Sequence, residues 1–329
     1  MPSVSRPSPA RSTADANVEW LAHVAARLPA RRWRTRFAPA PTGYLHLGHL
    51  VNALYVWGMA RQFGGDVLLR LEDHDRSRCR SEYESALLDD LDWLGFEADI
   101  ANSSTYRSQP TSHPVRQSDN PHRYRDALAA IEAKGMVYPC LCTRRDIEAL
   151  VPHPAGEAPR YPGTCRDRQV DPRSTNARRV RMAPAVVSFD DLRLGPMAHD
   201  PDRQCGDVMV RDRLGHWTYQ FAVAVDDVAQ HIDVIIRGED LLASTARQFR
   251  LTHLLGRDVP PITLHHPLLV HPHGGKLSKA NRDTALQAYR AAGVRPEVLL
   301  GEAAFLAGLA ASSASISAHD VASLFRVVR

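Results

Sequence analysis

With 329 residues, 44% of them hydrophobic, the chain can bury a substantial core and form one large domain or two moderate ones. Its formal net charge of +4 is compatible with nucleic-acid contact, but charge alone favours an ordinary charged surface. No apolar run approaches the ~20 residues that span a bilayer, and the N-terminus lacks a signal-peptide pattern. These features argue against a disordered or membrane protein and predict a cytoplasmic location.

The first 33 residues are interpreted as an N-terminal extension that is partly disordered. Residues 1–16 are rich in Ser, Pro and Ala and predict a mobile tail. In Asn17–Leu28 the apolar residues recur at helical spacing. This segment is therefore predicted to form a short amphipathic helix outside the main fold.

From Arg34 onwards the pattern alternates between strands and helices. A strand at Arg36–Ala38 is followed by a Pro-Thr-Gly turn and a helix at Leu45–Phe63. A second strand at Asp66–Leu71 precedes a second helix at Arg80–Gly95. This order predicts an α/β fold with a parallel, doubly wound sheet, whose first half occupies residues 34–135.

The middle of the chain, residues 136–225, is predicted to be an α+β insertion between the two halves of that sheet. A polar stretch at Asp99–Pro121, interpreted as a surface loop, and a helix at Tyr124–Lys134 precede it. Alternating polar and apolar residues predict four short strands. These strands are Ala177–Met182, Val186–Asp190, Asp207–Arg211 and Trp217–Val225.

The second half of the sheet is predicted at residues 226–285. It contains a strand at Asp233–Arg237, a helix at Ser244–Leu255 and a strand at Ile262–Leu269. Residues 286–329 are predicted to form a short C-terminal helical segment.

Two groups of residues suit the binding of a triphosphate. His46 and His49 are three residues apart at the start of a predicted helix, so both imidazoles project from the first turn, where the helix dipole favours phosphate. Lys276 and Lys279 follow Gly274-Gly275 and predict a cationic loop that closes over the phosphates.

The two stretches Tyr44-Leu45-His46-Leu47-Gly48-His49 and Lys276-Leu277-Ser278-Lys279-Ala280 resemble the HIGH and KMSKS motifs of class I aminoacyl-tRNA synthetases. The resemblance implies a Rossmann-like, HUP-type catalytic domain that binds ATP with Mg²⁺. It also implies that His46, His49, Lys276 and Lys279 are catalytic and that Gly48 leaves space for the adenine ring. Ala280 stands where a serine is frequent in this class.

Further segments resemble the glutamate-activating branch of this class. They are Arg36-Phe37-Ala38-Pro39-Ala40, Leu69-Arg70-Leu71-Glu72-Asp73, Trp217-Thr218-Tyr219 and Arg237-Gly238-Glu239-Asp240. Selecting glutamate requires partners for two carboxylates and one ammonium group, and arginines with a carboxylate can provide them. The resemblance implies that L-glutamate is bound by Arg36, Phe37, Ala38, Pro39, Ala40, Glu72, Tyr219 and Arg237. Ala40 replaces a serine that is often found there.

Three of the five cysteines lie in one short region, which favours a metal site over a disulfide framework. Cys140, Cys142 and Cys165 with Tyr161 would provide three thiolates and a phenolate for a tetrahedral Zn²⁺. From the residues alone, a reduced cysteine cluster without metal is as consistent with the sequence as a zinc site. The short glutamyl-type synthetases carry this arrangement, so the resemblance implies one structural zinc per chain in an acceptor-binding subdomain.

Only about fifty residues follow Lys279, so the chain is expected to lack an anticodon-reading domain. This resembles the short branch of the glutamyl-type family, which activates glutamate without RNA. Its members transfer glutamate to queuosine in the anticodon stem-loop of tRNA(Asp). We expect a monomer with this activity. Two alternatives are a truncated synthetase that charges the 3′ end of tRNA and a catalytically silent paralogue that acts as an RNA-binding module.

Overall fold

The computed structural model describes residues 13–153, 159–269 and 284–326, with the side chains described from residue 20 onwards. Its α-helices are α1 Thr13–Arg27, α2 Leu47–Phe63, α3 Ser81–Leu94, α4 Ser103–Ser108, α5 Pro121–Glu132, α6 Arg144–Leu150, α7 Pro201–Cys205, α8 Tyr219–Ala229, α9 Thr245–Leu254, α10 Leu286–Ala291 and α11 Pro296–Leu306. Its strands are β1 Trp33–Phe37, β2 Gly65–Leu69, β3 Val137–Pro139, β4 Arg178–Val180, β5 Val187–Asp191, β6 Gly195–His199, β7 Val208–Arg211, β8 Val234–Gly238 and β9 Ile262–His266. Short 3₁₀ helices lie at Pro172–Ser174, Glu239–Ser244 and Ala318–Phe325.

Parallel strand pairs form the centre of the molecule. Strand β1 pairs with β2, and β8 pairs with β9, both in parallel. The two pairs lie side by side, because the backbone N–H of Asp233, just before β8, donates to the Arg34 carbonyl in β1 at 2.9 Å. The parallel pairing predicted for both halves is therefore present, while a doubly wound arrangement of the whole sheet stays a prediction.

The hairpin β5–β6 extends the sheet of the second half, in the order β6-β5-β9-β8. The sequence placed Val186–Asp190 in the insertion, and the strand is confirmed, but it pairs in parallel with β9 at Asp191 and Thr263. Strands β3, β4 and β7 form a separate antiparallel sheet. Strand prediction alone could not distinguish the two sheets, because both contain short alternating segments.

The prediction of a strand at Trp217–Val225 is wrong, because this segment opens helix α8. Its alternation of polar and apolar residues ends at Phe221, and the buried run of alanines and valines that follows suits either structure. Phe221 and Ala222 are completely buried in a core cluster with residues of α5 and β7. Tertiary burial therefore decides the conformation here.

Helix α1 is confirmed, but its predicted position outside the main fold is wrong. Leu21 and Val24 are buried in the main core, and the indole Nε1 of Trp20 donates to the Leu192 carbonyl at 2.9 Å. The apolar stripe thus packs on the main core of the chain. A mobile tail was predicted for residues 1–16, but helix α1 already begins at Thr13, so this prediction is wrong for residues 13–16. Residues 1–12 lie outside the described residues.

The predicted loop Asp99–Pro121 contains the short helix α4, which places Tyr106 against the end of β2. The hydroxyl of Tyr106 donates to the Leu69 carbonyl at 3.0 Å and accepts from the Leu71 N–H at 3.2 Å. Tyr106 is buried and stacks on His113, with ring centroids 4.0 Å apart. The loop therefore supports the strand end that leads into Glu72.

Helix α2 connects the core to the C-terminal segment through a close contact at Gly58. A Cβ atom at this position would lie 2.2 Å from the ring of Phe325, which is fully buried. Only glycine lets the ring pack directly on the helix backbone.

Among the described residues, no helix combines the length and the hydropathy that crossing a bilayer requires.

Asp90 on α3 predicts a pH-dependent stability. Its carboxylate is completely buried without a hydrogen-bond partner among the described residues, and the nearest cation is Arg290, 3.4 Å away. Burial raises the pKa of Asp90 to about 6. A raised pKa in the folded state means that this group supports folding below about pH 4, and that this contribution is lost as the pH rises through 6. Asp90→Asn is therefore expected to stabilise the protein by about 1–2 kcal/mol at pH 7.5, with little effect near pH 4.

Urea unfolding of both proteins at the two pH values measures this difference. Asp89→Asn is the matched control, because Asp89 is its half-exposed neighbour and no stabilisation is expected from its replacement. A stability difference between Asp90→Asn and the wild type that is the same at both pH values would contradict the prediction.

Candidate active site

A first cavity of about 360 Å³ lies between the start of α2 and the ends of β8 and β9. Three of the residues predicted to bind ATP line it, namely His46, Gly48 and His49, together with Arg237 and His266. The helix N-terminus therefore opens into a space that is also bounded by the ends of β8 and β9 in the second half of the chain. Residues 270–283, which include Lys276 and Lys279, lie outside the described residues.

The two histidines form a reciprocal cap at the start of α2. The Nδ1 of His46 accepts from the N–H of Gly48 at 3.1 Å, and the Nδ1 of His49 accepts from the N–H of His46 at 3.2 Å. Because each Nδ1 is an acceptor, each neutral ring carries its proton on Nε2. A Cβ at Gly48 would lie 2.9 Å from the His46 ring, so this glycine leaves space for the imidazole.

A second cavity of about 580 Å³ lies beside the first. Six of the eight residues predicted for glutamate border it: Phe37, Ala38, Pro39, Ala40, Glu72 and Tyr219. The two cavities share His49, Asn52 and Leu241 in their walls. The remaining two predicted residues differ in position, since Arg237 lines the first cavity and Arg36 borders neither.

A buried ionic network connects Arg36 to Glu72. Asp227 on α8 accepts from Arg36 at 3.2 Å and from Arg70 at 2.8 Å, and Arg70 in turn donates to Glu72 at 3.0 Å. All four side chains are at most 7% exposed. Burial raises the pKa of Asp227, but the two guanidinium groups outweigh it and hold this pKa below its ordinary value. The carboxylate therefore stays charged and orients two of the predicted glutamate-binding groups.

Arg237 is buried among neutral acceptors. Its guanidinium donates to Gln248 at 2.6 Å, to Thr245 at 2.7 Å and to the His265 ring at 3.0 Å. Among the residues that the structure describes, no carboxylate lies within ion-pair distance of it. Burial lowers the pKa of Arg237 from its ordinary value. Burial of an unpaired cation costs several kcal/mol, so this arrangement favours an anionic ligand.

The predicted metal ligands converge in the antiparallel part of the chain. The sulfur atoms of Cys140, Cys142 and Cys165 all lie within 4.8 Å of one another, and the Tyr161 hydroxyl is 3.5 Å from Cys140 and 3.9 Å from Cys142. Ligand sulfurs of a tetrahedral zinc site lie roughly 3.8 Å apart. The guanidinium of Arg179 lies 3.6 Å from the centroid of the Tyr161 ring. The donor set therefore fits a metal such as zinc.

Sequence reasoning missed Asp227, Asp191 and His265. Asp227 belongs to an Asp-Asp pair inside the otherwise apolar helix α8, and His265 belongs to a His-His pair that ends the apolar strand β9. Buried polar residues within apolar runs are informative, so these pairs were a usable indication. No feature of the sequence indicated that Asp191 contacts His265.

Comparison with known proteins places the chain in a family. The family model "tRNA synthetases class I (E and Q), catalytic domain" matches residues 32–325. The chain is 38% identical over 306 residues to a glutamyl-Q tRNA(Asp) synthetase of Symbiobacterium thermophilum, covering 89% of this chain and 92% of that protein. It is 42% identical over 264 residues to one of Cupriavidus metallidurans, covering 79% and 81%.

A solved structure shows the same similarity at the level of the fold. The crystal structure of a glutamate tRNA ligase from Elizabethkingia meningosepticum, in complex with its amino acid, matches with a TM-score of 0.72 and 26% identity. The match covers 90% of this chain and 65% of that one. The chain therefore belongs to the class I tRNA synthetases of the E and Q type and is a ligase.

Proposed function

We propose that the chain uses ATP to activate L-glutamate without RNA and transfers the glutamyl group to queuosine in the anticodon of tRNA(Asp). The observation that supports the activation of glutamate is the junction of two cavities. One is lined by the histidine pair, and the other is bordered by Glu72 and Tyr219. The names of the relatives described above support the transfer to queuosine.

The charges of the site suit glutamate. Glu72, oriented by Arg70, would accept the α-ammonium group, and the neutral surroundings of Arg237 leave its charge for a ligand carboxylate. Arg36 adds positive charge beside this pocket, although Asp227 partly neutralises it. One anion and two cations are the partners that an amino acid with two carboxylates requires.

In the activation step, an α-carboxylate oxygen of glutamate attacks the α-phosphorus of ATP. The new P–O bond forms as the bond to the β-phosphate breaks, and pyrophosphate leaves with the electron pair. The Nε2–H groups of His46 and His49 would stabilise the charge that grows on the phosphoryl oxygens. We expect the same of Lys276 and Lys279. Mg²⁺ bound to ATP supplies further charge neutralisation.

In the transfer step, a cyclopentenediol hydroxyl of queuosine attacks the carbonyl carbon of glutamyl-adenylate. An ester bond forms, AMP leaves, and the hydroxyl proton is released. No side chain of the chain acts as a covalent nucleophile in this scheme. We further propose that the protein is cytoplasmic, that both halves share one doubly wound sheet, and that the chain acts as a monomer.

Two measurements on the wild type test the proposal. Glutamate-dependent exchange between ATP and pyrophosphate without RNA is expected, and its absence would contradict the activation step. Radiolabelled glutamate is expected on tRNA(Asp) that carries queuosine and not on tRNA(Asp) without it. Transfer to the 3′ end of tRNA(Glu) instead would support a truncated synthetase, and activity in neither assay would support a silent paralogue.

Replacing Cys140 with serine is expected to remove the metal from the cluster. Purified wild type is expected to contain about one zinc per chain, because three thiolates and a phenolate complete a tetrahedral site. Elemental analysis and thermal unfolding measure the loss of zinc and of stability. Cys205→Ser is the matched control, because Cys205 lies outside the cluster and should leave the zinc content unchanged. Wild type that folds without any metal would disprove the site.

A further inference from the structure

His265 contacts Arg237 from inside the protein. Its Nε2 accepts the Nε–H of Arg237 at 3.0 Å, and the Thr245 hydroxyl lies 3.2 Å from the same ring nitrogen. His265 is completely buried at the end of β9. An arginine has no acceptor atoms, so this contact requires the ring to present an unprotonated Nε2.

Asp191 determines which nitrogen of His265 carries the proton. Its carboxylate oxygen Oδ2 lies 2.7 Å from Nδ1 of the ring, and a carboxylate can only accept. The proton therefore resides on Nδ1, and Nε2 becomes the acceptor that Arg237 needs. Burial lowers the pKa of His265 from its ordinary value, which agrees with a neutral ring.

The position of Asp191 is itself determined by the backbone. The carboxylate accepts from the N–H groups of Arg193 at 3.1 Å, of Leu194 at 3.0 Å and of His265 at 3.1 Å. Asp191 is completely buried at the turn of the hairpin β5–β6. A rigid hairpin thus holds the carboxylate, the carboxylate holds the imidazole, and the imidazole holds the guanidinium.

We propose that Asp191 and His265 are positioning residues that orient Arg237 for the carboxylate of the amino-acid substrate. The relay acts on affinity for glutamate, because Asp191 and His265 line neither of the two cavities and act only through the guanidinium of Arg237. The inference rests on the proposed activation of glutamate. It assigns a role in substrate selection to the hairpin β5–β6, which provides Asp191 and the backbone N–H groups of Arg193 and Leu194 that hold it.

Two substitutions of His265 separate positioning from support of the fold. His265→Gln places its Oε1 where Nε2 was, so it retains the acceptor for Arg237 and loses the donor to Asp191. His265→Asn places its Nδ2 where Nδ1 was, so it retains the donor to Asp191 and loses the acceptor. In pyrophosphate exchange, the Asn variant is expected to raise the KM for glutamate about 10- to 100-fold, with the KM for ATP unchanged.

The Gln variant is expected to keep a KM for glutamate close to that of the wild type, although it unfolds more readily because buried Asp191 has lost a donor. The Gln variant should thus be the less stable of the two, and the Asn variant should bind glutamate more weakly. If His265 only supported the fold, the less stable variant would also be the one that binds glutamate more weakly. The proposal is overturned if the Asn variant folds with an unchanged KM for glutamate, or if KM follows stability.

Histidine ¹⁵N NMR of the wild type supplies a measurement that does not require a folded variant. The proposal expects the His265 ring to carry its proton on Nδ1 and to have a bare Nε2, and a proton on Nε2 of His265 would overturn it. Failure of the proposed function is distinguishable, because wild type would then show no glutamate-dependent exchange at all. Normal exchange in the wild type with unaffected variants would reject the relay alone.

Discussion

Replacing His49 with asparagine is expected to lower the rate of adenylate formation by about 10²- to 10³-fold while the stability of the fold is retained. The imidazole has two separate functions at its two nitrogens. Nδ1 caps the N-terminus of α2 by accepting the N–H of His46 at 3.2 Å, and Nε2 carries the proton of a ring that lines the cavity. Asparagine places an acceptor where Nδ1 was and nothing where Nε2 was.

The measurements are pyrophosphate exchange and thermal unfolding of the same preparations. His49→Ala is the comparison, because it removes both functions and should lose roughly 0.5–2 kcal/mol of stability in addition to the activity. If His49→Asn is folded and its exchange rate equals that of the wild type, the Nε2–H does not stabilise the transition state.

Asp227→Ala is expected to destabilise the protein by about 3–5 kcal/mol, because it leaves two buried guanidinium groups without their shared carboxylate. Arg36 and Arg70 both donate to the same oxygen of Asp227, and both arginines are at most 5% exposed. Arg70 also orients Glu72, so the loss should spread to the predicted site for the α-ammonium group. We therefore expect a KM for glutamate at least ~10-fold higher in any folded variant.

Asp227→Asn tests the same network with less damage, since it retains the shape and one acceptor and removes the charge. Urea unfolding and glutamate kinetics are compared with Asp92→Asn, which breaks an exposed ion pair with Arg107 and should cost less than ~1 kcal/mol. If the Asp227→Asn variant is as stable as the wild type and has the same KM for glutamate, the charge of Asp227 does not orient Arg36 or Glu72.

Much of the candidate site was predictable because its residues lie in short continuous segments. The chain from Phe37 to Ala40 and the histidine pair occupy the end of β1, the turn that follows it and the start of α2, where strand, turn and helix propensities agree. Local spacing therefore placed these groups at the edge of a sheet. The cysteine cluster was predictable for a similar reason, since CxC places two sulfurs on one short loop, although Tyr161 and Cys165 required the fold to bring them back.

The sequence by itself determined the chemical groups that are available, the order of the strands and helices of the catalytic halves, and the turn that presents His46 and His49. Only the tertiary structure decided that Trp217–Val225 starts a helix, that β5 joins the sheet of β9, and how Asp227 and Asp191 are used. The physical reason is that these features depend on contacts between residues that are distant in the chain. Asp191 and His265 are 74 positions apart, and Arg36 and Asp227 are 191 positions apart. Burial and charge pairing over such separations leave no local periodicity, so they exist only once the sheet has formed.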